Sequence, residues 1–147
     1  MKTAILIRHT GIVVSDIDLA IQFYCDLLGF SVKVDQIESG KHIDRFLGLE
    51  STRVRTVKLS LGEGSMLELL SFLNPNALLS DHRGLNSLGY THIALTVDDI
   101  DSLYVKLKNF GCELLSKPQM SPDKKVKLCF CRDPEGNYLE LVQELNG

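Results

Sequence analysis

The apolar residues of the first part of the chain recur at helical spacing. In residues 16–28 they return every three or four positions, which predicts a helix with one face on a core. Ser15 or Asp16 is placed to cap the first turn. Gly29 follows the last apolar pair, a common position for the left-handed residue that ends a helix. We therefore predict a helix that ends at Gly29.

A second segment, DDIDSLYVKLKNFGCEL, repeats this plan, with Asp98 or Asp99 at the cap and Gly111 at the end. Strands are predicted from β-branched and alternating apolar residues after each helix: FSVKVDQI and RVRTVKLSL in the first half, CELLS and VKLCFC in the second. The segment RDPEGNYLELVQE has the turn residues of a hairpin. Residues 38–51 are irregular, with a short helix expected near residues 43–47.

The two halves are related by an internal repeat. The segment HTGIVVSDID, from His9, aligns without gaps with HIALTVDDID, from His92. Near the end of each half, GSMLELLS aligns with GNYLELVQ, so that Glu68 and Glu140 occupy equivalent positions of the repeat. Each half therefore opens with a histidine-bearing strand and closes with a glutamate-bearing strand. The predicted fold class is α+β, built from two paired βαβββ modules.

The repeat also predicts how the chain is organised. We expect residues 1–147 to form a single domain, with module one at about residues 4–73 and module two at about 90–145. Residues 74–89 form the connector between them. The connector is rich in turn formers and in leucine, so we expect it to pack on the body of the domain.

Composition narrows the function. The 147 residues carry a net charge of −3 and no large basic block, which argues against a nucleic-acid partner. No apolar run reaches the length of about 18 residues that a membrane span needs. The apolar run at the N-terminus is too short for a secretion signal, so we interpret it as the first strand and the protein as cytoplasmic. A small molecule is the expected partner.

Four cysteines in a chain of this length do not suggest a disulfide framework. Cys129 and Cys131 are separated by one residue, so both thiols would point to one face of a strand. Two interpretations follow. The favoured one places both in the core as small apolar groups, and the other makes them metal ligands.

Glu68 interrupts an apolar run, and a carboxylate removed from water is normally protonated, paired or metal-bound. Alternation along the strands puts each histidine and each glutamate on the face opposite the most apolar residues. Pseudo-symmetry could therefore bring His9, Glu68, His92 and Glu140 together, as a site for Zn²⁺, Ni²⁺, Co²⁺, Mn²⁺ or Fe²⁺. The alternative is a set of satisfied core histidines and rim glutamates.

Four segments together resemble the vicinal oxygen chelate superfamily: HTGIVVSDIDLAIQFYCDLLGFSV, ELLSF, THIALTVDDID and RDPEGNYLELVQ. This superfamily joins glyoxalase I, methylmalonyl-CoA epimerase, bleomycin and fosfomycin resistance proteins and extradiol dioxygenases. The resemblance implies an open, U-shaped mixed sheet with helices on its outer face. It also implies one divalent metal ion, held by His9, Glu68, His92 and Glu140, and a homodimer. The metal site could lie within one chain or between two.

The resemblance also implies a class of reaction. Glyoxalase I and the epimerase use four protein positions around the metal, so Glu68 favours a lyase or isomerase that stabilises an enediolate or enolate. In this reading Glu140 is the catalytic base, and Glu68 is the alternative. Two other functions stay open: an Fe(II) ring-cleaving dioxygenase, which needs no acid at Glu68, and a non-catalytic ligand-binding protein of the bleomycin-resistance type. Arg53, Arg55 or Lys58 could hold a substrate anion.

Overall fold

The computed structural model describes residues 3–80 and 84–145. It divides into two compact units, the first ending at Leu79 and the second beginning at Ser80. The elements of the first unit are β1 (Thr10–Val13), α1 (Ile17–Ile21) with a π-helical continuation (Gln22–Leu27), β2 (Ser31–Ser39), α2 (Lys41–Leu47), β3 (Arg53–Ser60) and β4 (Met66–Asn74). Its sheet has the order β1-β4-β3-β2, with β1 parallel to β4 and the other pairs antiparallel.

The second unit repeats this topology. Its elements are β5 (His92–Thr96), α3 (Ile100–Phe110), β6 (Gln119–Met120), β7 (Val126–Arg132) and β8 (Tyr138–Glu144). The sheet order is β5-β8-β7-β6, and β5 is again parallel to β8. The predicted α+β class and the two βαβββ modules are therefore confirmed. None of the helices in the described ranges is long and apolar enough to cross a membrane.

Aspartates begin the helices α1 and α3, and glycines follow their ends. Asp16 caps α1 by accepting a hydrogen bond from the backbone N–H of Leu19, and Asp99 caps α3 in the same way. Of the alternatives at each cap, the structure therefore selects the aspartates at 16 and 99. Gly29 and Gly111 have positive φ angles of 80° and 93°, as expected for glycines that end helices.

The π-helical segment that continues α1 was not predicted. Phe23 and Tyr24 are adjacent in sequence, yet both are fully buried and their rings meet edge to face at 5.0 Å. A π-helical turn is wider than an α-helical one, and here it accommodates both rings on the core side. Periodicity in the sequence could not reveal it, because one turn of π-helix barely changes the spacing of apolar residues.

Most of the core lies on the face of each sheet that packs against α1 or α3, and β3 also buries Val54 and Thr56 on its other face. In β4, Leu67 and Leu69 are buried while Glu68 is only partly covered, and β8 repeats the pattern with Leu139 and Leu141. Burying each of these leucines contributes about 1.5–3 kcal/mol. The predicted alternation is confirmed, so Glu68 lies on the face opposite the helix-packed core.

The prediction of a strand at CELLS was wrong. Within this segment Leu114 makes one isolated bridge to Cys131, and the strand at this sheet edge is the two-residue β6. Pro118 explains the interruption, because it has no N–H to donate to a ladder. A short helix was expected near residues 43–47, and α2 starts two residues earlier, at Lys41.

The thiols of Cys129 and Cys131 lie in the core. Both residues are buried, and they pair in register with Leu141 and Leu139 on the helix-packed face of β8. Burial raises the pKa of Cys131 to about 12, so its thiol is protonated at neutral pH. This environment supports the interpretation as apolar core residues and does not suit a metal ligand.

Candidate functional site

The first module brings one histidine and one glutamate together. Gly11 of β1 is the register partner of Glu68 in β4, and His9 lies two residues before Gly11, just ahead of the strand. The Nε2 atom of His9 is 3.7 Å from the Oε2 atom of Glu68. The parallel pairing of the first and last strands of the module therefore produces this contact from residues nearly 60 positions apart.

The second module builds the same pair from matching positions. Ala94 of β5 is the register partner of Glu140 in β8, and His92 is the first residue of β5. The Nε2 atom of His92 is 3.3 Å from the Oε2 atom of Glu140. We call each histidine–glutamate pair a half-site: His9 with Glu68, and His92 with Glu140.

The chemistry of each half-site suits a divalent metal. Imidazole nitrogen and carboxylate oxygen bind such ions at about 2.0–2.2 Å, so two neighbouring ligands of one ion lie about 3 Å apart. The observed separations of 3.7 and 3.3 Å are close to this value. The histidine side chains are 33% and 34% exposed, whereas the glutamate side chains are better covered, at 16% and 22%.

Within the described part of each unit, the candidate ligands form a pair and not a larger group. Within either unit, over residues 3–80 and 84–145, no three side chains of His, Cys, Asp or Glu are grouped so that they could hold an ion. Since structural zinc sites usually have four protein ligands and catalytic ones three, one half-site would be an incomplete site by itself.

A hydroxyl group next to one half-site can orient its imidazole. The Thr91 Oγ1 atom lies 2.8 Å from the Nδ1 atom of His92. If Nδ1 carries the ring proton and donates it to this oxygen, Nε2 keeps the lone pair that a metal requires. The same Nε2 atom is the one that faces Glu140. Thr91 is therefore positioned to fix both the ring orientation and the tautomer.

Replacing Thr91 by valine removes the hydroxyl and keeps the branched shape. We expect this variant to bind a divalent metal about 10–100-fold more weakly, the usual effect of losing such an outer hydrogen bond. Metal competition with a chromophoric chelator measures the change. Thr96→Val is the matched control, because Thr96 is an exposed threonine at the opposite end of β5 from His92. Equal metal affinity in the two variants would contradict the orienting role of Thr91.

The two half-sites differ in the residue that faces each glutamate. Lys58 of β3 lies directly opposite Glu68, whereas Phe130 of β7 lies directly opposite Glu140. The Phe130 ring meets the His92 ring edge on, with centroids 5.2 Å apart. The sequence analysis did not identify Phe130, although the repeat that aligns Glu68 with Glu140 also aligns Lys58 with Phe130.

Arg132 is a second residue that the sequence analysis missed. It lies opposite Tyr138, its Nη2 atom donates a hydrogen bond to the Tyr138 hydroxyl, and Glu113 pairs with its guanidinium. Tyr138 is also the register partner of His92. Alternation along β7 could have identified it, because Arg132 is two residues beyond Phe130 and shares its face.

The role proposed for Arg55 as a substrate anchor was wrong. Its guanidinium donates hydrogen bonds to Asp35, and to Asp18 of α1, which places it on the helix-packed face. The hydrogen bonds from Arg55 to Asp35 lower the pKa of the Asp35 carboxyl. The second module repeats this ion pair with Lys127 and Asp101 of α3. Arg55 therefore holds helix to sheet, on the face away from the half-site.

Comparison with known proteins agrees with this architecture. Residues 6–141 match the family model described as the Glyoxalase/Bleomycin resistance protein/Dioxygenase superfamily. A probable lactoylglutathione lyase of Synechocystis sp. is 30% identical over 136 residues, which cover 92% of each chain. A 2-epi-5-epi-valiolone epimerase of Actinomyces sp. is 25% identical, over 95% of this chain and 79% of that one. The crystal structure of a glyoxalase family protein from Bacillus cereus has a TM-score of 0.89 and 32% identity, over 99% of both chains.

Proposed function

Because the chain belongs to the glyoxalase/bleomycin resistance protein/dioxygenase superfamily, we propose that it is a divalent-metal-dependent lyase or isomerase acting on a small carbonyl compound. The observation that carries this proposal is the repeated half-site. Each module pairs a histidine with a glutamate, at matching positions and with similar Nε2–Oε2 distances. The relatives named as a probable lactoylglutathione lyase and an epimerase support this class of reaction.

The proposed metal site unites the two half-sites. His9, Glu68, His92 and Glu140 would supply two imidazoles and two carboxylates to one ion, either within one chain or across a homodimer. This donor set suits Zn²⁺, Ni²⁺, Co²⁺, Mn²⁺ or Fe²⁺. It also accounts for the partly buried position of Glu68, since a cation offsets the cost of desolvating a carboxylate.

The proposed chemistry is proton transfer at the carbon next to a carbonyl group. The metal, when bound, supplies Lewis-acid stabilisation of the negative charge that develops on the substrate oxygen. Glu140 acts as the base that removes the proton from carbon and returns it, and Glu68 is a ligand. Phe130 places an aromatic ring against the His92 ring. The reverse assignment of the two glutamates is the alternative, because the half-sites are alike.

The test is whether proton exchange depends on the metal. Protein purified without chelators or nickel affinity resin is stripped of metal and then reloaded with each candidate ion. Exchange of deuterium into a thiol adduct of a 2-oxoaldehyde, and into a branched-chain thioester, is followed by NMR. We expect exchange with at least one substrate and at least one ion, and its loss on chelation. No exchange with any combination would contradict the proposal.

The same preparations separate this function from ring cleavage. A dioxygenase would consume oxygen with a catechol, would work with iron, and would tolerate loss of Glu68. Exchange that persists without oxygen excludes that mechanism. Tight binding of a bleomycin-type drug by metal-free protein that has no exchange activity would instead indicate a binding protein.

A further inference from the structure

We propose that Lys58 binds a carboxylate group of the substrate beside Glu68. This inference rests on the proposed function, because it assumes that the substrate reaches the half-site formed by His9 and Glu68. It narrows the substrate class to carbonyl compounds that carry a carboxylate. The carboxylate could belong to the reacting fragment or to a thiol carrier attached to it.

The strand register places Lys58 on the same face as Glu68. The two residues are direct partners in the antiparallel pair of β3 and β4, and such partners project their side chains to one face of the sheet. On the other side, the register partner of Lys58 is Val34 of β2. The lysine stem thus runs between an apolar residue and a carboxylate, on an interior strand of the sheet.

The charge of Lys58 has no partner within the described part of the chain. Four basic side chains in residues 3–80 and 84–145 are half-buried: Arg55, Lys58, Lys127 and Arg132. Three of them form ion pairs with carboxylates, and Lys58 forms no side-chain hydrogen bond or ion pair with any described residue. Glu68 pairs instead with His9. The ammonium group of Lys58 is therefore not taken up by a described carboxylate and is available to a bound anion.

Comparison of the modules indicates that the fold does not require a cation at this position. The ion pair between sheet and helix is present in both modules, with Arg55 and Asp18 in one and Lys127 and Asp101 in the other. At the position of Lys58, by contrast, the second module has the aromatic residue Phe130. Lys58 therefore places a cation beside one half-site, where the other half-site has an aromatic ring, and this difference can orient an anionic substrate.

The test compares binding of a carboxylate with binding of its uncharged analogue. Glycolate and glycolamide have the same size, and only glycolate carries the charge. Isothermal titration of zinc-loaded protein measures both affinities. Replacement of Lys58 by methionine keeps the stem and removes the charge, and the preference for glycolate over glycolamide is expected to fall about tenfold or more. Because both proteins hold zinc, the contribution of the metal to glycolate binding cancels in the comparison.

Two further variants test whether the charge of Lys58, and not the loss of any lysine, causes the preference for glycolate. Lys58→Arg keeps the positive charge and is expected to restore most of the preference. Lys127→Met removes a half-buried lysine from the helix-packed face and is expected to leave the preference at its wild-type value. Titration with a thiol that bears carboxylates and with one that lacks them then shows whether the carboxylate lies on the carrier.

The outcomes distinguish this inference from the proposed function. An unchanged preference in folded, zinc-loaded Lys58→Met would overturn the role of Lys58 and leave the metal site intact. Wild-type protein that does not bind zinc or any other candidate ion would overturn the proposed function and this inference with it. Should Lys58→Met fail to fold, Lys58→Gln with the same titration decides the question.

Discussion

Glu140→Gln is expected to lower the rate of proton exchange at the substrate carbon by about 10²–10⁴-fold, the usual contribution of a general base. The amide keeps the size of the side chain and can still offer an oxygen to a metal, but it cannot accept the proton. NMR exchange rates for metal-loaded protein measure the effect. Glu144→Gln is the matched control, because Glu144 is an exposed glutamate on the same strand.

Glu68→Gln completes this experiment. If Glu140 is the base and Glu68 a ligand, we expect Glu68→Gln to retain more exchange activity than Glu140→Gln. The opposite order would exchange the roles of the two residues. Full activity in both variants would contradict the proposed mechanism, since no carboxylate of either half-site would then be moving the proton.

His9→Ala and His92→Ala are each expected to abolish the stabilisation of the protein by metal. Wild-type protein with free zinc at about 100 times its dissociation constant should gain about 2.7 kcal/mol in the free energy of unfolding. Each variant loses an imidazole ligand from what we propose is one shared site, so neither should show this gain. Thermal unfolding with and without zinc measures it.

A third histidine provides the control for this measurement. His42 is exposed on α2, where its ring lies near that of Phe46. His42→Ala should therefore keep the full response to zinc. A zinc response that survives in His92→Ala but not in His9→Ala would show that only the half-site of His9 binds metal, and a response that survives in both would show that the half-sites bind metal independently.

Much of the fold follows from local chemistry and could be predicted. The cap at Asp99 and the glycine at Gly111 bracket α3, because each satisfies backbone groups that a helix end leaves free. Alternation of buried and partly exposed residues placed Glu68 and Glu140 on the face away from the core. These features depend on residues close together in sequence, and the internal repeat supported each assignment with a second example.

The features that could not be predicted depend on contacts between distant residues. Alternation puts Arg55 and Lys58 on opposite faces of β3, but alternation alone does not show which face carries the half-site. The structure decides this in two ways. Lys58 is the register partner of Glu68, and Arg55 forms an ion pair with Asp18. The contact of Phe130 with His92 likewise arises from strand pairing. The candidate ligands were identified from the repeat, and the pairing within each module became visible in the structure.

The proposal that the two half-sites share one ion is tested most directly by counting the metal ions bound per chain. Elemental analysis of wild-type, His9→Ala and His92→Ala proteins, each reloaded with zinc and freed of excess, provides the count. We predict one ion per chain in the wild type and none in either variant. Two ions per chain in the wild type, with one retained in each variant, would show that the half-sites act separately and would contradict a shared site.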